Sequence, residues 1–437
     1  MHEKALRVHA RYRGKVQSMP KCPITRVEDF ALYYTPGVAE PCRAIEKNAE
    51  MVYNYTNKGN SVAIVTDGSR VLGLGDIGPE AGLPVMEGKA MLFKYLGGVD
   101  AVPLCLSTHD PDKIVETVEL LQPSFGGINL EDISQPKCFA ILDALRKSLH
   151  IPVWHDDQQG TATATLAALI NALKVVNKEM RKVRIVMFGM GAANVAVYRT
   201  LIGFGIDPQA IVACDEYGLL HKGRSDVEKR QDEYYDLWKI CQETNPDNLT
   251  VDVNKAFEGT DVCISFAANG PDIIAPEWIS AMASDAIVFA CANPVPEIWP
   301  EKAKAAGARI VCTGRSDFEN QLNNSLIFPG LFRGVIDSGA TTVTEEMVFA
   351  AASALAKYAE AKGLSPNYIL PGMDDWKLAA SVATATAIKA QEQGIARTTH
   401  SPDAYHEYAL NRIAEVRHEV DSIFKTQTSG EMSDEYY

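Results

Sequence analysis

The chain has no membrane-length apolar run, no closely paired cysteines and no surplus of positive charge, and each absence removes a class of function. Without about 18 consecutive apolar residues, no membrane-spanning helix is expected. The nine cysteines form no C-x-x-C pair, so a zinc ribbon or dithiol redox centre lacks its ligands. Their number is odd. Cys214, Cys263, Cys291 and Cys312 sit in apolar strand-like runs, where cysteine behaves as a small hydrophobe. That fits a reducing compartment, with the cytoplasm as the default and an organelle matrix also compatible. The formal net charge of -14 argues against non-specific nucleic-acid binding, which draws its affinity from Lys and Arg. Residues 1–20 carry scattered Lys, Arg and His but no apolar core of signal-peptide length. Internal repeats and low-complexity segments are also missing.

What is present reads as an ordinary globular chain. Hydrophobic residues make up 46% and charged residues 22%, which removes disordered and fibrous architectures. A length of 437 residues accommodates two or three domains. The first half has a mixed α/β pattern. Strand-like runs at residues 61–66, 101–106 and 127–130 are separated by a glycine-rich loop at 73–78 and helical stretches at 88–96 and 111–121. From Thr161 a small-residue helix leads into strand-like runs at 183–188, 210–214, 261–266, 286–292 and 308–313. Helical stretches lie between them, the pattern of a parallel sheet built from βαβ units. Beyond about residue 340 the pattern is mainly helical, at 345–361 and 376–393, and the acidic tail after Thr426 is expected to be mobile. The expected architecture is α/β. An N-terminal domain over residues 1–160 carries the chemistry, and a Rossmann-type dinucleotide domain with C-terminal helices fills residues 161–437.

The run 184–188 enters Gly189-Met190-Gly191-Ala192-Ala193-Asn194 and then a helical pattern. In such a turn the first glycine permits the bend and the second lets backbone approach a pyrophosphate. The helix N-terminus offers its free N–H groups. Asn194 stands where Gly or Ala is usual, which predicts looser helix–strand packing. Asp215 ends the next strand, where an acid takes the ribose hydroxyls and favours NAD over NADP. Lys222 and Arg224 nearby can offset that preference. The alternative is a purely structural turn.

Two acidic pairs, Glu131-Asp132 and Asp156-Asp157, lie at predicted strand ends. Carboxylates without a Cys or His pattern suit a hard cation, Mg²⁺ or Mn²⁺. The plain alternative is solvated loop charge, or Asp157 capping the following helix.

The segment Trp154-His155-Asp156-Asp157-Gln158-Gln159-Gly160-Thr161-Ala162 resembles the paired-aspartate signature of the malic enzymes. Tyr33-Tyr34-Thr35-Pro36-Gly37-Val38-Ala39 resembles that family's catalytic-tyrosine segment, and the stretch from Thr66 to Asp76 its arginine loop. Pro84-Val85-Met86-Glu87-Gly88-Lys89 is similar to its catalytic-lysine segment, and Asn129-Leu130-Glu131-Asp132 to its metal-binding acids. Ala292-Asn293-Pro294 and the run from Asn323 to Gly330 resemble its two asparagine segments. Trp154 where Phe is usual, Gln158, Gln159 and Asn194 depart from the commonest pattern.

The resemblance implies oxidative decarboxylation of malate to pyruvate and carbon dioxide with NAD or NADP and a divalent metal. It implies that Glu131, Asp132 and Asp157 hold the metal. Lys89 would be the general base on the C2 hydroxyl, with its pKa lowered by burial or nearby positive charge. Tyr34 would protonate C3. Arg70 would bind a substrate carboxylate, Asn293 and Asn324 the other carboxylate or the nicotinamide ribose, and Asp156 would support Lys89 or the metal-bound water. His155 is read as a neighbour and not a ligand, since adjacent strand positions face opposite ways. The resemblance also implies a homo-oligomer, a dimer or tetramer, and a chain too short for the phosphotransacetylase-like extension of some relatives. In isolation Tyr34 reads as a packed aromatic, Lys89 as a helix-surface charge, Arg70 as a loop charge and Asn324 as a cap. Two other functions remain in view, a malolactic lyase that keeps NAD bound and releases lactate, and a catalytically silent nucleotide binder.

Overall fold

A computed structural model describes residues 2–250, 252–267 and 270–428. Ten strands form two parallel α/β sheets. The first contains β1 (Ser61–Thr66), β2 (Asp100–Cys105), β3 (Gly127–Leu130) and β4 (Val153–His155) in the order β2-β1-β3-β4. Every residue of β1 is buried, as a central parallel strand covered on both faces requires. The second sheet contains β5 (Ile185–Phe188), β6 (Ile211–Asp215), β7 (Gly218–Leu219), β8 (Val262–Ser265), β9 (Ala286–Ala290) and β10 (Ala308–Thr313). Its order is β10-β9-β8-β5-β6-β7, with only β7 antiparallel. This is the Rossmann-type arrangement expected from the strand–helix alternation.

One buried apolar cluster runs through both sheets and the helices that follow. The helix Phe328–Ser338 returns to the first domain, where Phe328 and Phe332 pack on Phe93 with ring centroids 4.6 and 5.1 Å apart. Gly97 permits this approach, since a Cβ there would sit 2.7 Å from the Pro329 carbonyl oxygen. Buried Arg333 fixes the junction by donating to Asn60 Oδ1 at 2.7 Å while paired with Asp337.

The helix expected at residues 88–96 is longer, running from Pro79 to Gly97. Pro84 conceals it in the sequence, because an internal proline forfeits one helical hydrogen bond. The long final helix, Pro402–Thr428, passes through the start of the expected mobile tail, whose remainder, 429–437, lies outside the described residues. None of the described helices is long and apolar enough to cross a membrane.

The N-terminal arm contrasts with this interior. Helices Glu28–Tyr33 and Ala39–Lys47 bury no residue, and Leu6, Val27, Phe30 and Leu32 are all more than half exposed. Lys15 donates to the Pro84 carbonyl at 2.8 Å and Lys21 pairs with Asp100 at 2.5 Å, so polar contacts tie the arm to the first domain.

Candidate active site

The carboxyl ends of β3 and β4 lie side by side, with Leu130 in register with His155, so both acidic pairs leave the sheet at one edge. After β4 the chain makes a π-helical turn, Asp156–Gly160, before the helix Thr161–Val175. Such turns displace side chains from regular helical positions and recur at functional sites. Gly160 makes this one possible: a Cβ there would meet Asp156 Oδ1 at 2.0 Å and Asn324 Cβ at 3.1 Å. Asn324 is thereby seated beside Asp156. The residue that caps the short turn at Asn324–Leu326 is Asn323, whose side chain accepts from the Ser325 N–H, so Asn324 is not the cap.

Lys89 is the centre of this edge. It is 8% exposed, so the helix-surface alternative is excluded. Its Nζ lies 2.6 Å from Asp156 Oδ2, 2.8 Å from Glu131 Oε1 and 4.4 Å from the Phe328 ring centroid. Burial opposes the ammonium, but the charges of Asp156, Glu131 and Asp157 outweigh it and hold Lys89 well above its ordinary pKa. The lowering expected of a general base is thus reversed here, because the two nearest groups are carboxylates.

The acids are fixed with equal care. Asn129 Nδ2 donates to Glu131 Oε2 at 2.8 Å, and Asp157 Oδ2 accepts the Asp132 backbone N–H at 2.8 Å. Asp157 is therefore a strand-end tie and not the cap of the next helix, for which no side-chain cap is formed. Asp132 has φ +53°, and its Oδ2 is sealed from solvent without a partner. Burial and then Asp157 push the Asp132 carboxyl up to about 8, while burial and the other acids raise Glu131 well above its usual range. Trp154 Nε1 donates to Asp156 Oδ1 at 2.9 Å, a bond that Phe at this position could not make. His155 is fully buried, and burial lowers it to about 4, which keeps the imidazole neutral. Among the described residues, no three ligating side chains already converge on one point at ion-binding distance.

Arg70 donates its backbone N–H to the Asp132 carbonyl at 3.0 Å, so its exposed side chain starts from the acidic edge. Tyr34 does not join the cluster. It is 72% exposed on the N-terminal arm, so it is not the packed aromatic considered from sequence either.

The nucleotide turn joins β5 to the helix Ala192–Gly203, with Gly191 at its N-cap. Gly189 has φ +81°, and a Cβ there would sit 2.6 Å from Ala267 Cα, so two reasons converge on glycine. Gly191 has open space where a Cβ would be, beside Met190, Ala192 and Ala193. The expected loosening at Asn194 does not occur. Its Nδ2 donates to the Gly189 and Phe188 carbonyls at 2.8 and 3.1 Å, which ties helix to strand. Asp215 ends β6 and is gripped by Arg224 at 2.9 and 2.8 Å, whereas Lys222 is exposed. Asn293 precedes a cis proline, and Gly314 packs beside it, where a Cβ would lie 2.5 Å from Asn293 Nδ2 and 3.0 Å from the Cys291 carbonyl oxygen.

Sequence reasoning passed over Glu297. Its Oε1 accepts from Ser265 Oγ and the Ala267 N–H, both at 2.7 Å, and its Oε2 from the Ala292 N–H at 3.1 Å. It thereby ties the ends of β8 and β9 together beside Asn293. A lone Glu after a Pro-rich turn carried no signal of that role.

The malic enzyme N-terminal domain family model matches residues 13–146, and the malic enzyme NAD binding domain model matches residues 158–392. The bifunctional malic/malolactic enzyme of Bacillus subtilis is 47% identical over 407 residues, 92% of this chain and 96% of its own length. The NAD-dependent malic enzyme of Geobacillus stearothermophilus is 45% identical, over 89% of this chain and 79% of its own. The NADP-dependent malic enzyme of Escherichia coli is 42% identical over 88% of this chain but only 51% of its own length. Among solved structures, the Entamoeba histolytica malic enzyme superposes with a TM-score of 0.95 at 44% identity, covering 100% of this chain and 91% of that one.

Proposed function

The chain belongs to the malic enzyme family, and we propose that it oxidises malate with NAD or NADP and releases carbon dioxide to give pyruvate. One observation carries this reading: a buried lysine lies within hydrogen-bond reach of Asp156 and Glu131 at the edge where Asp132 and Asp157 also end.

Lys89, once it has passed its ammonium proton to Asp156 at 2.6 Å, would take the proton from the C2 hydroxyl of malate. Arg70 would hold a substrate carboxylate in a paired hydrogen bond, and Asn324 would contact the substrate from beside Asp156. Gly189, Met190, Gly191, Ala192, Ala193 and Asn194 would cradle the cofactor phosphates, Asp215 its adenosine ribose and Asn293 its nicotinamide end. The nicotinamide supplies the hydride acceptor when bound.

Glu131, Asp132 and Asp157 would hold Mg²⁺ or Mn²⁺. Their hard oxygens fit such a cation, and the sealed, unpartnered Asp132 Oδ2 and the raised Asp132 carboxyl mark an unmet demand for positive charge. The ion supplies Lewis acidity toward the C2 oxygen when bound.

Tyr34 would return a proton to C3. Its exposure, on an arm with uncovered apolar residues, supports reading it as the donor to the site of a second copy in a homo-oligomer. Malate, NAD or NADP, and Mn²⁺ test the proposal directly: pyruvate and reduced nicotinamide together support it, and neither product would refute it. The Bacillus relative's name favours a second reading, a malolactic activity, for which lactate without reduced nicotinamide is the mark.

A further inference from the structure

Gln158 and Gln159, on the π turn that carries the paired aspartates, line a separate cavity of about 70 Å³. Three helices enclose it: Lys137–Ser148 of the first domain, Ala192–Gly203 of the nucleotide domain and Glu345–Glu360. The remaining polar lining is Arg146, Arg199, Thr200 and Glu345.

Two of these groups have partners. Gln159 Oε1 accepts the His155 N–H at 3.1 Å. Arg199 forms a two-pronged pair with Asp236 at 2.7 and 2.5 Å and also reaches the Tyr235 hydroxyl. Arg146 and Gln158 differ. The Nε of Arg146 and the Nε2 of Gln158 are both sealed from solvent and without a hydrogen-bond partner. No carboxylate among the described residues comes within 4.0 Å of the Arg146 guanidinium to pair with it. Burial disfavours its charge, and Asp143 and Glu345 compensate only from a distance.

The Arg146 side chain is half-buried with its Nε sealed, and unmet buried donors are rare in native proteins. Arg146 and Gln158, each carrying such a donor, line one small cavity and together suit an oxygen-rich anion. Size then narrows the class, because nucleotide and coenzyme sites occupy about 300–1,000 Å³. Glu345 at the rim opposes a polyanion.

We propose that this cavity binds a small oxyanion, a carboxylate or inorganic phosphate, through Arg146 and Gln158. The bound anion bridges a helix of the first domain to the first helix of the nucleotide domain. It therefore favours the relative placement of the domains in which those helices meet. This site needs no assumption about the reaction at Lys89.

Calorimetric titration of the full chain with inorganic phosphate in one arm and succinate in the other tests the proposal, at ionic strength matched with sodium chloride. Arg146→Met removes the guanidinium, and Thr200→Met fills the cavity while leaving Arg146 in place. Uptake at the Lys89 edge is common to all three proteins, so the difference between them isolates this cavity. Wild type is expected to bind one anion about tenfold or more tightly than either variant. The arm that shows the difference identifies the source as phosphate or carboxylate. Equal binding of both anions by wild type and by whichever variants fold, or no binding by wild type, overturns the proposal. Should Arg146→Met fail to fold, Thr200→Met alone decides.

Discussion

The Lys89 ammonium lies 2.6 Å from one oxygen of Asp156, while the Trp154 indole holds the other oxygen at 2.9 Å. The indole–carboxylate–ammonium series fixes the lysine from behind. Asp156→Asn keeps the shape but removes the charge that orients Lys89. We expect kcat to fall about 10–100-fold, with the KM for the nicotinamide cofactor unchanged. Steady-state kinetics in both substrates checks this, and an equal rise in both KM values would point to general misfolding instead.

Trp154→Phe preserves the buried ring and deletes one hydrogen bond to a carboxylate. The expected loss is about 1–3 kcal/mol of stability, read from urea unfolding. A variant as stable as wild type would mean that Asp156 finds another donor.

Tyr34 and Lys89 yield a sharper test. If Tyr34 serves the site of a second copy, Tyr34→Phe and Lys89→Met are each inactive, yet subunits mixed after dissociation regain activity. A heterodimer of the two variants holds one intact site, whereas sites built within one chain recover nothing. Activity after mixing, compared with each variant alone, separates the cases.

Asp215 is bound on both oxygens by Arg224, which also pairs with Asp226 at 2.7 Å. Asp215→Ser leaves Arg224 anchored and removes the charge that would repel a 2′-phosphate. The ratio of kcat/KM for NADP over NAD should rise about tenfold, and an unchanged ratio would place cofactor choice elsewhere.

Asp100 gives a pH signature. Burial pushes its carboxyl up, but hydrogen bonds from Lys21, Lys94 and Asn60 outweigh this and leave it well below its ordinary value. A folded-state pKa below the unfolded one stabilises the fold above the unfolded value and is lost as pH falls through the folded value. Asp100→Asn should therefore cost about 1–2 kcal/mol at pH 7. The gap to wild type should narrow below about pH 4. Thermal unfolding from pH 3 to 7 follows it, and a gap constant with pH would contradict the assignment.

Much of the fold was legible because parallel strands are short apolar runs between helices. β1 with its closing Asp67-Gly68 and β5 with its glycine turn stand out on that pattern. Pro84 concealed half of a helix, because local propensity is overridden when the helix packs against the sheet. Lys89 alone looked like a surface charge, and only its company with the paired acids marked it. What the pattern could not supply was partnership. Asn194 was read by size against glycine, whereas its amide donors serve the carbonyls of the turn it occupies. The raised pKa of Lys89 follows from two carboxylates that are distant in sequence.

The most direct test of the account is the ratio of pyruvate released to nicotinamide reduced, measured for wild type and for Lys89→Met with malate and Mn²⁺. Wild type should give one pyruvate per reduced nicotinamide, and Lys89→Met should still bind the cofactor but form product at least about 100-fold more slowly. Turnover by Lys89→Met at the wild-type rate, or lactate formed without reduced cofactor, would contradict the account.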